Sequence, residues 1–316
     1  MYLETTVKPV YRRLTVRSWE EEYQLKRTGE TRVRTKHEFK FERLNGKPLS
    51  PRDEKWLFTL KIPPAVNNVE VYVKGQEPQA SWTDDVGRTQ RLYSKKHRIA
   101  ASNQKFAKVR NIDAPMKKLQ AKVISDLNSA GVDGEAAAVL YTIFQTGFRI
   151  GEDKDTGAAV KAYGASQLEN KHVQVSGNTV KFNFIGKKGV QQKHSIVDAR
   201  LARIFRERKG SPGRLFTISA GAVRSYIDRT VGIDTLTPKD IRTWLATNLV
   251  KQELKRAKTS ETKKEFKTRQ REIADEVANK LGNTRAVSLS GYIDPNQWDK
   301  ILPEDEDSWR PAALKE

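Results

Sequence analysis

Three short runs between residues 172 and 197 limit the fold of this chain more than any other stretch. Residues 172–175 and 180–185 largely alternate polar and apolar side chains, a third run covers 190–197, and Ser176-Gly177-Asn178 and Gly186-Lys187-Lys188-Gly189 separate the three. Period-two patterning broken by tight turns predicts an antiparallel β meander with a lysine pair at its second tip. The sequence on either side is helical in period. Asp113 and Pro115 open a helix whose apolar positions Met116, Leu119, Val123 and Leu127 share one face, and Gly131 is expected to close it. A second helix is predicted from about Gly134 to Thr146, with Arg149 just beyond it.

Further helices are predicted over about 199–209 and 219–231. Thr237-Pro238-Lys239-Asp240 combines a cap, a first-turn proline and a first-turn acid, a strong start for a helix through Trp244 and Leu249. Residues 251–271 are intensely charged and read as exposed helix broken near Thr259-Ser260. Ile273, Val277 and Leu281 then restore an apolar stripe that Gly282 stops.

The first hundred residues read differently. Phe39-Lys40-Phe41-Glu42 alternates, and Asn45-Gly46 predicts a hairpin turn. Ser50-Pro51 predicts the start of a short helix through Trp56 and Leu60. Residues 69–73, a run beginning at Ala80-Ser81-Trp82, and Arg91-Leu92-Tyr93 are expected strands, with a turn at Asp84-Asp85-Val86-Gly87. Residues 1–38 fit either strands or charged loops. Residues 94–108 are basic without a clear apolar period and read as a linker that could itself lie on a polyanion. The expected class is α+β. A small β-rich N-terminal domain (1–99) precedes a mainly helical domain (100–316) that contains the three-stranded meander, and the acidic end from Pro303 is expected to be a solvated tail.

Composition narrows the chemistry. A formal net charge of +20 favours a polyanionic partner, of which nucleic acid is the commonest. The chain has no cysteine, which excludes disulfides, thiolate catalysis and cysteine-type zinc sites. Its four histidines are scattered, so no metal site is expected, and no Gly-rich ATP loop or serine triad is visible. No apolar run reaches membrane-spanning length, and the mixed N-terminus argues against a signal peptide.

What remains is Arg149, Lys187, Arg242 and Tyr292 on four separate elements. Metal-free phosphodiester chemistry needs such a set. Two guanidiniums can clamp the charge that builds on the non-bridging oxygens. A tyrosine hydroxyl, intrinsically ionising near 10, needs a positive pocket in order to attack. The departing alkoxide needs a proton, which a lysine on a hairpin tip can supply. Each residue alone also fits an ordinary role. Arg149 could be a helix-C-terminal cation, Lys187 a turn lysine, Arg242 a surface arginine, Asn283 a helix cap, and Tyr292 one of nine tyrosines.

Together, from about Phe39 to Pro295, these segments resemble the type IB DNA topoisomerases in their compact bacterial and viral form. Ile62-Pro63-Pro64-Ala65 and the following strand look like that family's N-terminal domain. Asp85-Val86-Gly87-Arg88-Thr89-Gln90-Arg91-Leu92-Tyr93 is similar to its DNA-contacting strand, with Arg91 where an aromatic is frequent. Phe148-Arg149-Ile150-Gly151, Lys181 to Lys187, Lys239-Asp240-Ile241-Arg242-Thr243-Trp244, Leu281-Gly282-Asn283-Thr284 and Ser290-Gly291-Tyr292-Ile293-Asp294-Pro295 match its catalytic motifs in order.

The resemblance implies Tyr292 as nucleophile, Arg149 and Arg242 as phosphate ligands, Lys187 as proton donor, and Asn283 as a hydrogen-bond donor where many relatives have histidine. It implies DNA contacts at Arg88, Gln90, Tyr93, His97 and Lys239. It further implies relaxation of supercoiled double-stranded DNA without ATP, metal or other cofactor, through a 3′-phosphotyrosyl intermediate, by a monomer that clamps the duplex. Such a protein resides in the cytoplasm or wherever the genome lies, and it is neither secreted nor bound to a membrane. A tyrosine recombinase shares this catalytic core but usually carries histidine where Lys239 stands. A non-catalytic basic DNA-binding protein is the other alternative.

Overall fold

The computed structural model describes residues 8–24, 30–84, 87–152, 160–210, 213–232 and 236–303. The chain divides into two compact units, Met1–Ser102 and Asn103–Glu316.

The first unit is built on a five-stranded antiparallel sheet ordered β2-β1-β3-β4-β5. Strands β1 (Tyr11–Gln24) and β2 (Thr31–Arg43) form a long hairpin with a bulge between Thr15 and Arg17. The described part of residues 1–38 is therefore mostly strand. Strands β3 (Val69–Val71), β4 (Ala80–Thr83) and β5 (Thr89–Leu92) are short. Tyr11, Leu57, Val69, Val71 and Ala80 form the core, with Trp56, Ile62 and Trp82 packed against it. Helix α1 (Pro51–Leu57) starts as expected, with the Ser50 hydroxyl accepting from the Asp53 amide. It ends three residues before Leu60, because the Thr59 amide and hydroxyl both bond the Trp56 carbonyl and tighten the last turn.

Two further expectations change here. A turn does form at Asn45-Gly46, where Gly46 adopts φ +72° and its amide bonds the Arg43 carbonyl at 3.1 Å. No return strand follows it, since Pro48 and Pro51 remove the amides that pairing needs, and β2 pairs backwards with β1. The strand expected over 69–73 stops at Val71. Asp85 and Val86 of the expected turn lie outside the described residues, as does the acidic end beyond Pro303.

The segment expected as a linker is helix α2 (Lys95–Asn111). Its Lys, Arg, Ala and Gln residues are good helix formers. Phe106, Val109 and the following Ile112 are buried at three-residue spacing, so an apolar stripe exists but is confined to the last third.

In the second unit, α3 (Asp113–Asp126) buries Met116, Leu119 and Val123. Gly131 does not close α3; it is the first residue of α4 (Gly131–Thr146), which is buried along most of its length. The meander forms as predicted: β6 (Val173–Ser176), β7 (Thr179–Ile185) and β8 (Gln191–Val197) are antiparallel, with Phe182 opposite Val173 and His194. Lys187–Gly189 makes a single 3-10 turn at the second tip, with Lys188 at φ +62°.

Helices α5 (Ala199–Arg208), α6 (Ala220–Val231), α7 (Pro238–Arg256) and α8 (Lys263–Leu281) follow. The gap between α7 and α8 contains Thr259-Ser260, where the break is expected. A short helix α9 (Arg285–Gly291), not foreseen, leads into Tyr292. No helix among the described residues is long and apolar enough to cross a membrane.

Candidate active site

Arg242 is the centre of the site. It lies just past the first turn of α7, near the end where a cation opposes that helix's own dipole. The geometry supplies the reason. Its side chain is buried, and Nε donates to the Gly147 carbonyl at 2.6 Å while Nη2 donates to the Leu281 carbonyl at 2.8 Å. These carbonyls end α4 and α8, so the guanidinium sits at the negative ends of two other helices. Burial holds its pKa down at about 10, which still leaves it charged at neutral pH.

Two glycines allow this convergence. Gly147 (φ +71°) caps α4 so close to α8 that a Cβ there would lie 2.7 Å from Leu281 Cδ2. Gly282 (φ +58°) caps α8 with no room for a side chain, since a Cβ would fall 1.7 Å from Gln192 Oε1. Both positions combine a left-handed backbone with a close neighbour, and glycine alone satisfies the two demands.

The remaining donor of Arg242 faces the tyrosine. Nη1 donates to the Tyr292 hydroxyl at 2.6 Å, and the guanidinium carbon lies 4.8 Å from the ring centroid. Tyr292 is 7% exposed, so its ring is packed while its oxygen is held by a cation. Asn283, just past the α8 cap, joins the second arginine: its Oδ1 accepts from Arg149 Nη2 at 2.8 Å and from Arg242 Nη2 at 3.5 Å. Two cationic donors on one side require the amide oxygen there, which fixes the Asn283 orientation. The Asn283 Nδ2 is buried and has no protein partner. Arg149, Asn283, Arg242 and Tyr292 thus form one hydrogen-bonded chain.

Lys187 is exposed at the meander tip and lines one small cleft with Arg149, Tyr163, Gly186 and Gln192. It shares the cleft with one arginine but is outside the hydrogen-bonded chain. Gln192 Nε2 donates to the Gly282 carbonyl at 3.1 Å, so β8 is tied to the residue preceding Asn283.

Of the expected DNA contacts, four lie in the first unit. Arg88 and Gln90 both donate to Asp84 Oδ2 at 2.9 Å, and Tyr93 stacks on His97 with centroids 4.5 Å apart. Lys239 lies in the second unit, exposed in the first turn of α7.

Sequence reasoning missed three cations on α2. Lys105 Nζ donates to the Gly291 carbonyl at 2.8 Å, one residue before Tyr292. Arg110 pairs with buried Asp294, two residues after it. Lys108 bonds Asp240 at 2.8 Å, two residues before Arg242. Asp240 also closes a capping box with Thr237. The signal lay in the basic linker, but only burial shows where it points. Burial, together with the like charge of Lys239, lowers the Lys105 pKa to about 8, partly offset by Asp294.

Among the described residues, no group of three or more His, Asp or Glu side chains is placed to share a metal ion. Two guanidiniums and an amide with an uncommitted N–H are gathered around one tyrosine oxygen.

Comparison with known proteins gives the same direction. The sequence model of the family described as eukaryotic DNA topoisomerase I, catalytic core, matches residues 94–304. The DNA topoisomerase 1B of Acanthamoeba polyphaga mimivirus is 27% identical over 269 residues, covering 79% of this chain and 80% of that protein. The DNA topoisomerase I of Monkeypox virus and the DNA topoisomerase 1B of Vaccinia virus (strain Copenhagen) are each 26% identical over 157 residues, covering 46% of this chain and 48% of each of those proteins.

Proposed function

The chain belongs to the type IB DNA topoisomerase family, and on that premise we propose that it relaxes supercoiled duplex DNA through a covalent 3′-phosphotyrosyl bond to Tyr292. The Tyr292 oxygen attacks the scissile phosphorus, a new P–O bond forms, and the bond to the 5′ oxygen breaks. The phenolic proton leaves to solvent, and Lys187 gives a proton to the departing 5′ oxygen. The free end swivels about the intact strand. The 5′-hydroxyl, returning its proton to Lys187, then attacks the phosphotyrosine; the bond from phosphorus to the Tyr292 oxygen breaks, that oxygen takes a proton from solvent, and the original phosphodiester is restored. One phosphodiester replaces another, so no ATP is required.

The observation that carries this reading is the 2.6 Å bond from Arg242 Nη1 to the Tyr292 hydroxyl, with Arg149 and Asn283 joined to the same network. The Arg242 donor fixes the position of the phenolic oxygen for attack. Arg149, Arg242 and the Asn283 amide hold the non-bridging oxygens, whose charge grows in the transition state. Arg88, Gln90, Tyr93, His97 and Lys239 contact the duplex, and the protein acts as a monomer whose two units close on it. Affinity is dominated by phosphate contacts and falls steeply with salt.

Trapping the intermediate tests this. After incubation and denaturation, a label at the 5′ end of the scissile strand should migrate with the protein, and a label at its 3′ end should not. Tyr292→Phe should give no adduct. An adduct carrying the 3′ label would reverse the proposed polarity, and an adduct on Tyr292→Phe would move the nucleophile elsewhere.

A further inference from the structure

The β1–β2 hairpin outgrows its sheet. On β1, strand β3 pairs only with Tyr11, Arg12 and Arg13, so residues 14–24 of β1 have β2 as their sole strand partner among the described residues. At ~3.3 Å per residue this two-stranded ribbon runs for about 35 Å beyond the sheet. A lone ribbon of this kind is marginally stable in water. Here Val16, Trp19 and Val33 are 54%, 42% and 56% exposed, so core packing is not what the ribbon provides. It also lies outside residues 94–304, the part matched to the family's catalytic core.

Its two faces differ in charge. The bulge at Val16 shifts the alternation, and the pairing register then sorts the side chains. One face carries Arg17, Arg32, Arg34, Lys36 and Lys40 against Glu21 and Glu38, a net charge of +3. The other carries Glu20 and Glu22 with no lysine or arginine, a net charge of −2. The cationic face also holds Trp19 and Tyr23, with Arg17 over Trp19 at 5.2 Å and Arg34 over Tyr23 at 5.1 Å, while His37 and Phe39 lie on the other face. Glu21 sits between Arg34 and Lys36 and bonds both, the lysine at 3.0 Å. Exposed pairs of this kind hold weakly, so a phosphate can replace the carboxylate at little cost.

We propose that the cationic face of this ribbon is an additional binding surface for duplex DNA, laid along a groove and contacting backbone phosphates. The dimensions fit. The major groove admits a two-stranded β ribbon. Arg32, Arg34 and Lys36 stand ~6.7 Å apart on one face of β2, a row of cations that can follow the phosphates at the edge of the groove. This surface rests on the assignment of DNA as substrate, but not on the chemistry at Tyr292.

The test is the salt dependence of binding to a labelled duplex several turns long, measured on the full chain. The triple variant R32Q/R34Q/K36Q should flatten the slope of log affinity against log salt by about 2–3, following ~0.9 per lost phosphate contact. Glu21→Gln frees Arg34 and Lys36, and it should tighten binding several-fold and steepen the slope. A purely structural role for the Glu21 bridge predicts the reverse, weaker binding. The proposal is overturned by an unchanged slope in the triple variant, by Glu21→Gln failing to tighten binding, or by sedimentation showing a wild-type dimer that the triple variant dissolves. Adduct formation on a short duplex, run in parallel, reports on Tyr292 separately. A triple variant that still forms the adduct leaves the catalytic reading intact whichever way the slope falls.

Discussion

The side-chain oxygen of Asn283 accepts a hydrogen bond from Arg149 at 2.8 Å, and this contact turns the amide nitrogen into a buried donor without a protein partner. An unsatisfied buried donor costs about 1–3 kcal/mol. A phosphate oxygen bound between the arginines would satisfy it. Asn283→Ala should therefore slow single-turnover cleavage by roughly tenfold to a hundredfold, the loss of one charge-assisted bond. Asn283→Asp should be worse, because it sets a carboxylate where the phosphate must sit. Asn283→His should retain most activity but add an inflection near the ordinary histidine range of about 6.5, which the amide of the native enzyme cannot produce. Equal rates for native enzyme and Asn283→Ala would remove the amide from the phosphate site.

Lys187 should separate proton delivery from attack. Lys187→Ala is expected to cleave an ordinary strand at least a hundredfold more slowly, in line with the loss of general-acid catalysis. On a substrate whose 5′ leaving group is a good one, such as a bridging phosphorothiolate, most of that loss should vanish. Equal slowing on both substrates would count against Lys187 and favour the neighbouring Lys188.

Lys105 offers a prediction in which stability and activity move in opposite directions. Its folded pKa of about 8 lies below the usual 10.5, chiefly through burial. Between those values the unfolded chain holds a proton that the native protein has lost, so stability rises with pH across that window and the full burial cost is felt below about 8. Lys105→Met removes that cost, and its melting temperature at pH 7 should equal or exceed that of the native protein. Cleavage should fall about tenfold or more, because the carbonyl beside Tyr292 loses its tether and small misplacements are costly. A lower melting temperature with unchanged cleavage would make Lys105 a stability residue only.

Gly282 should tolerate no side chain. Gly282→Ala imposes φ +58° on alanine and drives its Cβ into Gln192. The expected loss is about 2–4 kcal/mol from backbone strain and overpacking, read as a shifted denaturation midpoint. A loss under about 0.5 kcal/mol, the level of an ordinary surface change, would mean that the α8 cap can relax away from β8.

Much of this architecture was legible before the structure. The meander, the capped start of α7 and the stop at Gly282 each depend on local rules that neighbours do not override. Of the five residues expected to be catalytic, Arg149, Arg242, Asn283 and Tyr292 are hydrogen-bonded to one another, and Lys187 is not. The burial of Arg242 was not legible, because the carbonyls that hold it come from the ends of α4 and α8, far away in the chain. The role of α2 was hidden for a similar reason: its basic residues look like solvated surface until Gly291, Asp240 and Asp294 are brought to them. Gly131 misled because a glycine can start a helix as well as end one. The ribbon was obscure because its charges alternate by face, so that its composition alone looks neutral.

The most direct measurement is relaxation of a supercoiled plasmid in EDTA without ATP, with native enzyme beside Tyr292→Phe. The plasmid should lack any recombination site, which removes the recombinase alternative. Native enzyme should relax the plasmid to completion, and Tyr292→Phe should leave it supercoiled while still binding it. A native enzyme inactive under those conditions, or a Tyr292→Phe enzyme that still relaxes DNA, would contradict the account.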